Sequence, residues 1–158
     1  MVNTVNDFKY FELRNQDDDE NKLAAIIRKV SNDYPIPITD KVDIDEYAKR
    51  ILEDGHVIVC EYGKEIVGFV TFYANNLTGK EGSFSLLGIL RKFRRHNIAS
   101  NLFKLSFDIM KSKGMKTAFS YTHKKNIAAI NFHKRMGFRI DGLRVTDQSY
   151  NISLIKRL

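Results

Sequence analysis

Chemistry in this 158-residue chain is most legible between Ser83 and Phe103, SFSLLGILRKFRRHNIASNLF. Four cations, Arg91, Lys92, Arg94 and Arg95, stand within five positions, just ahead of an amphipathic run that begins at Ile98. A strand that feeds a helix start leaves free backbone N–H groups at the positive end of the helix dipole, and these bind phosphate. A solvated basic turn would have the same composition, so the cluster alone leaves both readings open. Other reactive types are less suggestively placed. Asp17, Asp18 and Asp19 open a helical pattern, where acids complement the dipole, and this explains them better than a metal site does. Cys60 lies in the apolar run HVIVC and reads as a buried strand residue rather than a nucleophile. No zinc-type spacing is present, and no metal is expected.

The elements around this stretch follow from periodicity. Asp7 to Arg14 alternates like a strand, and Leu23, Ile26, Ile27 and Val30 recur at helical spacing. Both prolines fall in 32–41, which is therefore a loop. A second helix is predicted over Asp43–Glu53. HVIVCEY and KEIVGFVTFYA form a hairpin around Gly63, with the second strand apolar on both faces. Gly88 interrupts SFSLLGIL, where glycine marks a bulge or a close approach. A bulge there would expose backbone N–H and C=O groups to an amide-bearing ligand. A helix from Ile98 to Gly114, the strand KTAFSYTH and a helix capped by Asn126 and closed by Gly137 follow. Short strands at Arg139–Ile140 and Gln148–Ile155 complete the chain.

Length and the lack of any linker or repeat predict one domain over 1–158. No apolar run is long enough to span a bilayer, the start lacks a signal-peptide pattern, and a lone cysteine cannot form an internal disulfide. A cytoplasmic protein without membrane contact is the expectation. Residues 1–60 carry a net charge of −5 and residues 61–158 a net charge of +12. An anionic partner for the second half follows, whether nucleic acid, membrane surface or phosphorylated cofactor.

Two motifs at a fixed separation narrow this choice. RKFRRHNIAS resembles the arginine/glutamine-x-x-glycine-x-glycine/alanine turn of the GCN5-related N-acetyltransferases (GNAT). NIAAINFHKRMGF resembles that superfamily's second motif. The order of elements matches as well, so the resemblance covers essentially the whole chain. It implies an α/β (α+β) fold with a mixed, mostly antiparallel sheet of six or seven strands, splayed in the middle, and about four helices. It also implies acetyl-CoA as co-substrate. The pyrophosphate would lie on the N–H groups of Arg95, His96, Asn97, Ile98, Ala99 and Ser100. Arg94 matches the motif's first position, and Asn97 replaces its glycine. Asparagine is among the few residues that tolerate a left-handed conformation, so the turn can form. Leu87, Gly88 and Ile89 match the strand that pairs with the pantetheine arm, and Asn126 matches an asparagine near the thioester.

The resemblance also assigns chemistry. Transfer needs an uncharged amine, a cradle for the oxyanion (here the backbone near Ile89) and a proton for the departing thiolate. The family's acid is a tyrosine seven residues after the motif asparagine, and here that position is His133, which could donate or could merely pack. Relatives that acetylate ribosomal protein N-termini place a glutamate where this chain has Tyr121, which counts against that subfamily. Tyr121 could orient a water or the substrate, or be buried. His123 and Glu81 are weaker candidates for a base. Specificity in the superfamily lies in loops that correspond to 31–41 and 141–148. Tyr34, Asp40 and Tyr73 are the substrate-binding candidates, with Asp33 and Asp147 also able to meet an ammonium group. The expected acceptor is the primary amine of a small molecule, with an amino sugar suggested by similarity to surface-polysaccharide acetyltransferases. A non-catalytic acyl-CoA-binding module, acetylation of a peptide amine and a nucleic-acid-binding role are the alternatives. Nucleic acid has only charge in its favour. The protein would be a monomer or homodimer.

Overall fold

The computed structural model describes residues 7–141 and 151–158. Part of the predicted loop 141–148, including Asp147, lies outside them. The chain opens with β1 (Phe8–Leu13) and α1 (Asp19–Val30), passes through two single 3-10 turns (Ser31–Asp33 and Ile38–Asp40) and forms α2 (Ile44–Asp54). The hairpin β2 (His56–Tyr62) and β3 (Glu65–Asn76) turns at Gly63, whose φ is +65°. Next come β4 (Glu81–Ile89), α3 (Ile98–Ser112), β5 (Thr117–His123), α4 (Ile127–Arg135), β6 (Arg139–Ile140) and β7 (Asn151–Arg157). The turn between β3 and β4 is short, because β3 continues to Asn76 and β4 begins at Glu81.

Local chemistry sets the element ends. Asp43 caps α2 by accepting from Glu46 N–H at 3.1 Å, and Asn126 caps α4 by accepting from Ala129 N–H at 3.1 Å. Gly137, at φ +95°, ends the turn after α4 in a conformation that L side chains avoid.

The seven strands form one sheet in the order β1-β2-β3-β4-β5-β7-β6. Strand alternation divides the apolar residues between its faces. Val57 and Val59 point to a core built with α1 and α2, around Leu23, Ile27 and Ile51. Ile58 and Cys60 point to the opposite core, built with α3 around Leu102, Phe103 and Met110. Covering both faces explains why β3 is apolar on both sides.

All pairings are antiparallel except β4 with β5. That parallel pairing covers three pairs only, Glu81–Thr117, Gly82–Ala118 and Ser83–Phe119, and beyond it the strands part. The register of β4 against β3 shifts between Phe84 and Leu86, so the bulged residue is Ser85, three positions ahead of the glycine that drew attention in the sequence. Gly88 meets the other expectation, a close approach. A Cβ there would lie 2.8 Å from both Phe69 Cε1 and Val30 Cγ2, so the missing side chain lets α1 and β3 close on the strand.

Candidate active site

Where β4 and β5 diverge, the sheet opens into a cleft of about 1090 Å³, lined by β4 from Phe84 to Ile89, by β5 from Ser120 to His123, by the turn before α3 and by α4. The edge of β4 is directional. Leu90 N–H donates to Val67 O at 2.8 Å, and Leu86 N–H donates to Thr71 Oγ1 at 2.9 Å, so both face β3. By alternation, the backbone groups of Leu87 and Ile89 face the opening. Their carbonyls are engaged there, Leu87 O by the Tyr34 hydroxyl and Ile89 O by Arg94 Nε at 3.2 Å. The N–H groups of the same residues are what this edge presents.

At one end of the cleft the chain turns into α3. Arg95 and Asn97 both have left-handed backbones, at φ +70° and +59°. Two such residues separated by one form a concavity that gathers successive N–H groups, at the start of a fifteen-residue helix whose dipole points the same way. Asn97 thus takes the conformation expected of the glycine it replaces. The arginines are arranged differently from a simple cationic patch. Asp33 accepts from Arg91 at 3.0 Å and from Arg94 at 2.9 Å, tying the loop after α1 to the basic turn. Backbone amides, not these side chains, are the anion-binding groups on offer.

Across the cleft stands a buried pair. His133 Nδ1 lies 2.8 Å from Ala129 O and must donate to it, so Nε2 accepts from Ser120 Oγ at 2.9 Å. Burial lowers the imidazole pKa, the opposite of what a proton donor at neutral pH requires. Phe103, Phe132 and Phe138 meet the ring edge-on at centroid distances of 5.1–5.8 Å. Tyr121, which alternates with Ser120, faces the other side of the sheet and is 48% exposed rather than buried.

The cleft therefore brings together Leu87, Gly88, Ile89, Arg94, Arg95, Asn97, Ile98, Ala99, Ser100, Tyr121, Asn126, His133 and Tyr34. It leaves out three predicted residues. His96 is exposed beside Phe8, at 5.5 Å between ring centroids. Asp40 sits on the exposed second 3-10 turn. Tyr73 packs against the α1–α2 core. Asp33 is committed to arginines rather than available for an ammonium group. His123 lines the cleft and accepts from Lys125 N–H at 3.1 Å, whereas Glu81 lies in the paired part of β4. Burial raises the Cys60 thiol to about 11, consistent with a core residue. Sequence reasoning did not single out Ser85, Tyr47, Thr71 or Ser120, whose roles depend on contacts across the sheet.

Comparison with known proteins agrees with this architecture. The sequence profile described as "Acetyltransferase (GNAT) family" matches residues 23–138. The chain belongs to the GNAT acetyltransferase family. A 61-residue segment is 34% identical to N-alpha-acetyltransferase 30 of Schizosaccharomyces pombe, covering 39% of this chain and 41% of that protein, so less than half of the relative is matched. Two solved GNAT-type structures share the fold. The PaiA N-acetyltransferase of Thermoplasma acidophilum, solved with coenzyme A, has a TM-score of 0.73 at 14% identity, over 95% of this chain and 99% of that one. Ard1 of Thermoplasma volcanium has a TM-score of 0.76 at 16% identity, over 96% and 97%. The splayed β4–β5 seam described above is thus the cleft of a GNAT domain. No metal-binding group of three or more His, Cys, Asp or Glu occurs among the described residues.

Proposed function

We propose that this GNAT protein is an acetyl-CoA-dependent N-acetyltransferase acting on the primary amine of a small molecule. The observation that carries the reading is the left-handed pair Arg95 and Asn97 at the start of α3, opening onto the parted β4–β5 seam. The amides of residues 95–100 would hold the pyrophosphate, and the N–H groups of Leu87 and Ile89 would receive oxygens of the pantetheine arm and the thioester. An oxyanion forming at the thioester carbonyl is stabilised by a fixed N–H whose direction costs no reorganisation, and Ile89 offers one. Asn126 caps α4 with its oxygen and retains its amide N–H groups for the coenzyme.

Direct attack needs the neutral amine, and Tyr121 is the exposed hydroxyl on the cleft wall that could orient it or its water. His133 is assigned a positioning role in place of the acid role that its position in the motif suggested. Its only N–H is spent on Ala129, and its burial disfavours the imidazolium. A thiolate needs little acid assistance to leave, because the ordinary thiol pKa of about 8.5 lies near neutrality.

A second reading, acetylation of a peptide amine, is favoured by the segment of 34% identity to an N-alpha-acetyltransferase. One experiment addresses both. Thermal stabilisation by acetyl-CoA is measured first, then thiol release with amino sugars, simple amines and short peptides. Turnover on small amines supports the first reading and turnover on peptides alone the second. Stabilisation without turnover on any acceptor would indicate a binding module.

A further inference from the structure

The face of the cleft toward α1 and α2 carries a hydroxyl chain for which the reading above has no use. Leu86 N–H donates to Thr71 Oγ1 at 2.9 Å. Thr71 is fully buried, and its oxygen lies 2.7 Å from Tyr47 Oη, which in turn lies 2.6 Å from Ser85 Oγ. Directions follow from the Tyr47 hydroxyl, whose single proton goes to Ser85. With the Leu86 amide on its oxygen, Thr71 can then place its own proton on Tyr47. Burial pushes the Tyr47 hydroxyl up to about 12, so it keeps its proton at working pH. Ser85 is left with one O–H and one lone pair, and it is exposed on the cleft wall at the β4 bulge.

Such a chain could in principle ferry protons, but this one ends inside a strand at a backbone amide, which neither releases nor takes up a proton at working pH. Its effect is to fix direction. The lone pair that Tyr47 occupies is no longer available to a ligand, and the O–H of Ser85 is set to point away from it. On the opposite side of the opening, Tyr121 emerges from β5 away from the His133 face, and both residues line the cleft. An acceptor entering between them meets a hydroxyl donor whose orientation is set in advance.

We propose that Ser85 is a specificity determinant for the acceptor, donating its O–H to an oxygen that neighbours the reactive amine. Tyr47 is the positioning residue behind it. The substrate class is then an amine bearing a vicinal hydroxyl or carbonyl oxygen rather than an alkylamine. This inference rests on the acetyltransferase reading.

The test compares amines of similar size in thiol release, 2-aminocyclohexanol against cyclohexylamine and glycinamide against isobutylamine, with each rate expressed per neutral amine because a neighbouring oxygen lowers the amine pKa. A site built to hydrogen-bond a substrate oxygen rejects the analogue lacking it, so kcat/KM should favour the oxygenated member of at least one pair by about tenfold or more. The aminocyclohexanol and glycinamide arms separate a hydroxyl partner from a carbonyl one. Ser85→Ala should bring the ratio close to one with the KM for acetyl-CoA unchanged, and Ser85→Thr should keep most of it. Tyr47→Phe should raise the KM of the oxygenated amine more than it lowers kcat. Turnover with no preference in the wild type, or an unchanged ratio in Ser85→Ala, overturns the role of Ser85 alone. Absence of thiol release with all four amines removes the acetyltransferase reading on small amines, and the inference with it.

Discussion

Ser120 and His133 are bonded to each other inside the cleft wall, Oγ to Nε2 at 2.9 Å, with the remaining imidazole N–H held by Ala129. Burial holds the imidazole pKa below the ordinary 6.5, so at neutral pH the ring is neutral and the two bonds fix one tautomer. On acidification the unfolded chain takes up this proton before the native state does. Stability linked to His133 is intact above about pH 6.5 and is lost as pH falls through the lower native value. His133→Gln should flatten the decline of Tm between neutral pH and about pH 5, as read by thermal melts. An acid limb identical to wild type would show that the ring does not titrate as described.

The same geometry bears on turnover. General acid catalysis is worth roughly a hundredfold or more, so a positioning residue should cost less. His133→Gln is expected to lower kcat by less than about tenfold. A loss of two orders of magnitude at unchanged KM for acetyl-CoA would return His133 to the role of acid.

At Asn97 the backbone φ of +59° constrains what can replace it. Asn97→Gly should leave stability within about 1 kcal/mol and preserve or strengthen the thermal shift produced by acetyl-CoA. Asn97→Val should destabilise by about 1–2 kcal/mol, because a β-branched side chain is poorly tolerated there. If valine left both Tm and the shift unchanged, the left-handed turn could not be what binds the anion.

Asp33 holds Arg91 and Arg94 away from duty as phosphate ligands. The arginine side chains are 80% and 45% exposed, so the pairs are weak. Asp33→Asn should release both cations and tighten acetyl-CoA binding about two- to fivefold, with a steeper salt dependence. Weaker binding, measured by titration calorimetry, would mean that the carboxylate instead holds the turn in shape.

Removing the Tyr47 hydroxyl strands the Thr71 proton in a fully buried site. Tyr47→Phe should cost about 1–3 kcal/mol in denaturant unfolding. In a cycle with Thr71→Val, which also orphans the Leu86 N–H, the combined loss should be smaller than the sum of the two single losses. Strict additivity of the two substitutions would argue against the bond.

Much of this was readable before any coordinates. The 3.6-residue spacing of Leu23, Ile27 and Val30, the cap at Asn126 and the terminating Gly137 are local signals, and they mark elements where they form. The two motifs located the cleft because residues 94–100 and 126–138 are continuous in sequence. What stayed hidden depends on contacts across the sheet. Gly88 signals a bulge or a close approach; it is the close approach, the bulge is at Ser85, and nothing in the string SFSLLGIL tells crowding by Val30 and Phe69 from a register shift. His133 was identified by its position in a motif, while its protonation depends on Ser120, thirteen residues away on β5. Asp40 and Tyr73 were candidates by residue type, and only the path of the loop and the facing of β3 place them outside the cleft.

The three-pair contact between β4 and β5 makes the sheet two half-sheets, β1 to β4 and β5 with β7 and β6, joined along a short seam. A substrate arm lying against the amides of Leu87 and Ile89 would continue that seam as a strand that is not polypeptide. The cohesion of the fold and the loading of the site then become one quantity. Each cycle of binding and release would then knit the two halves together and unpick them again.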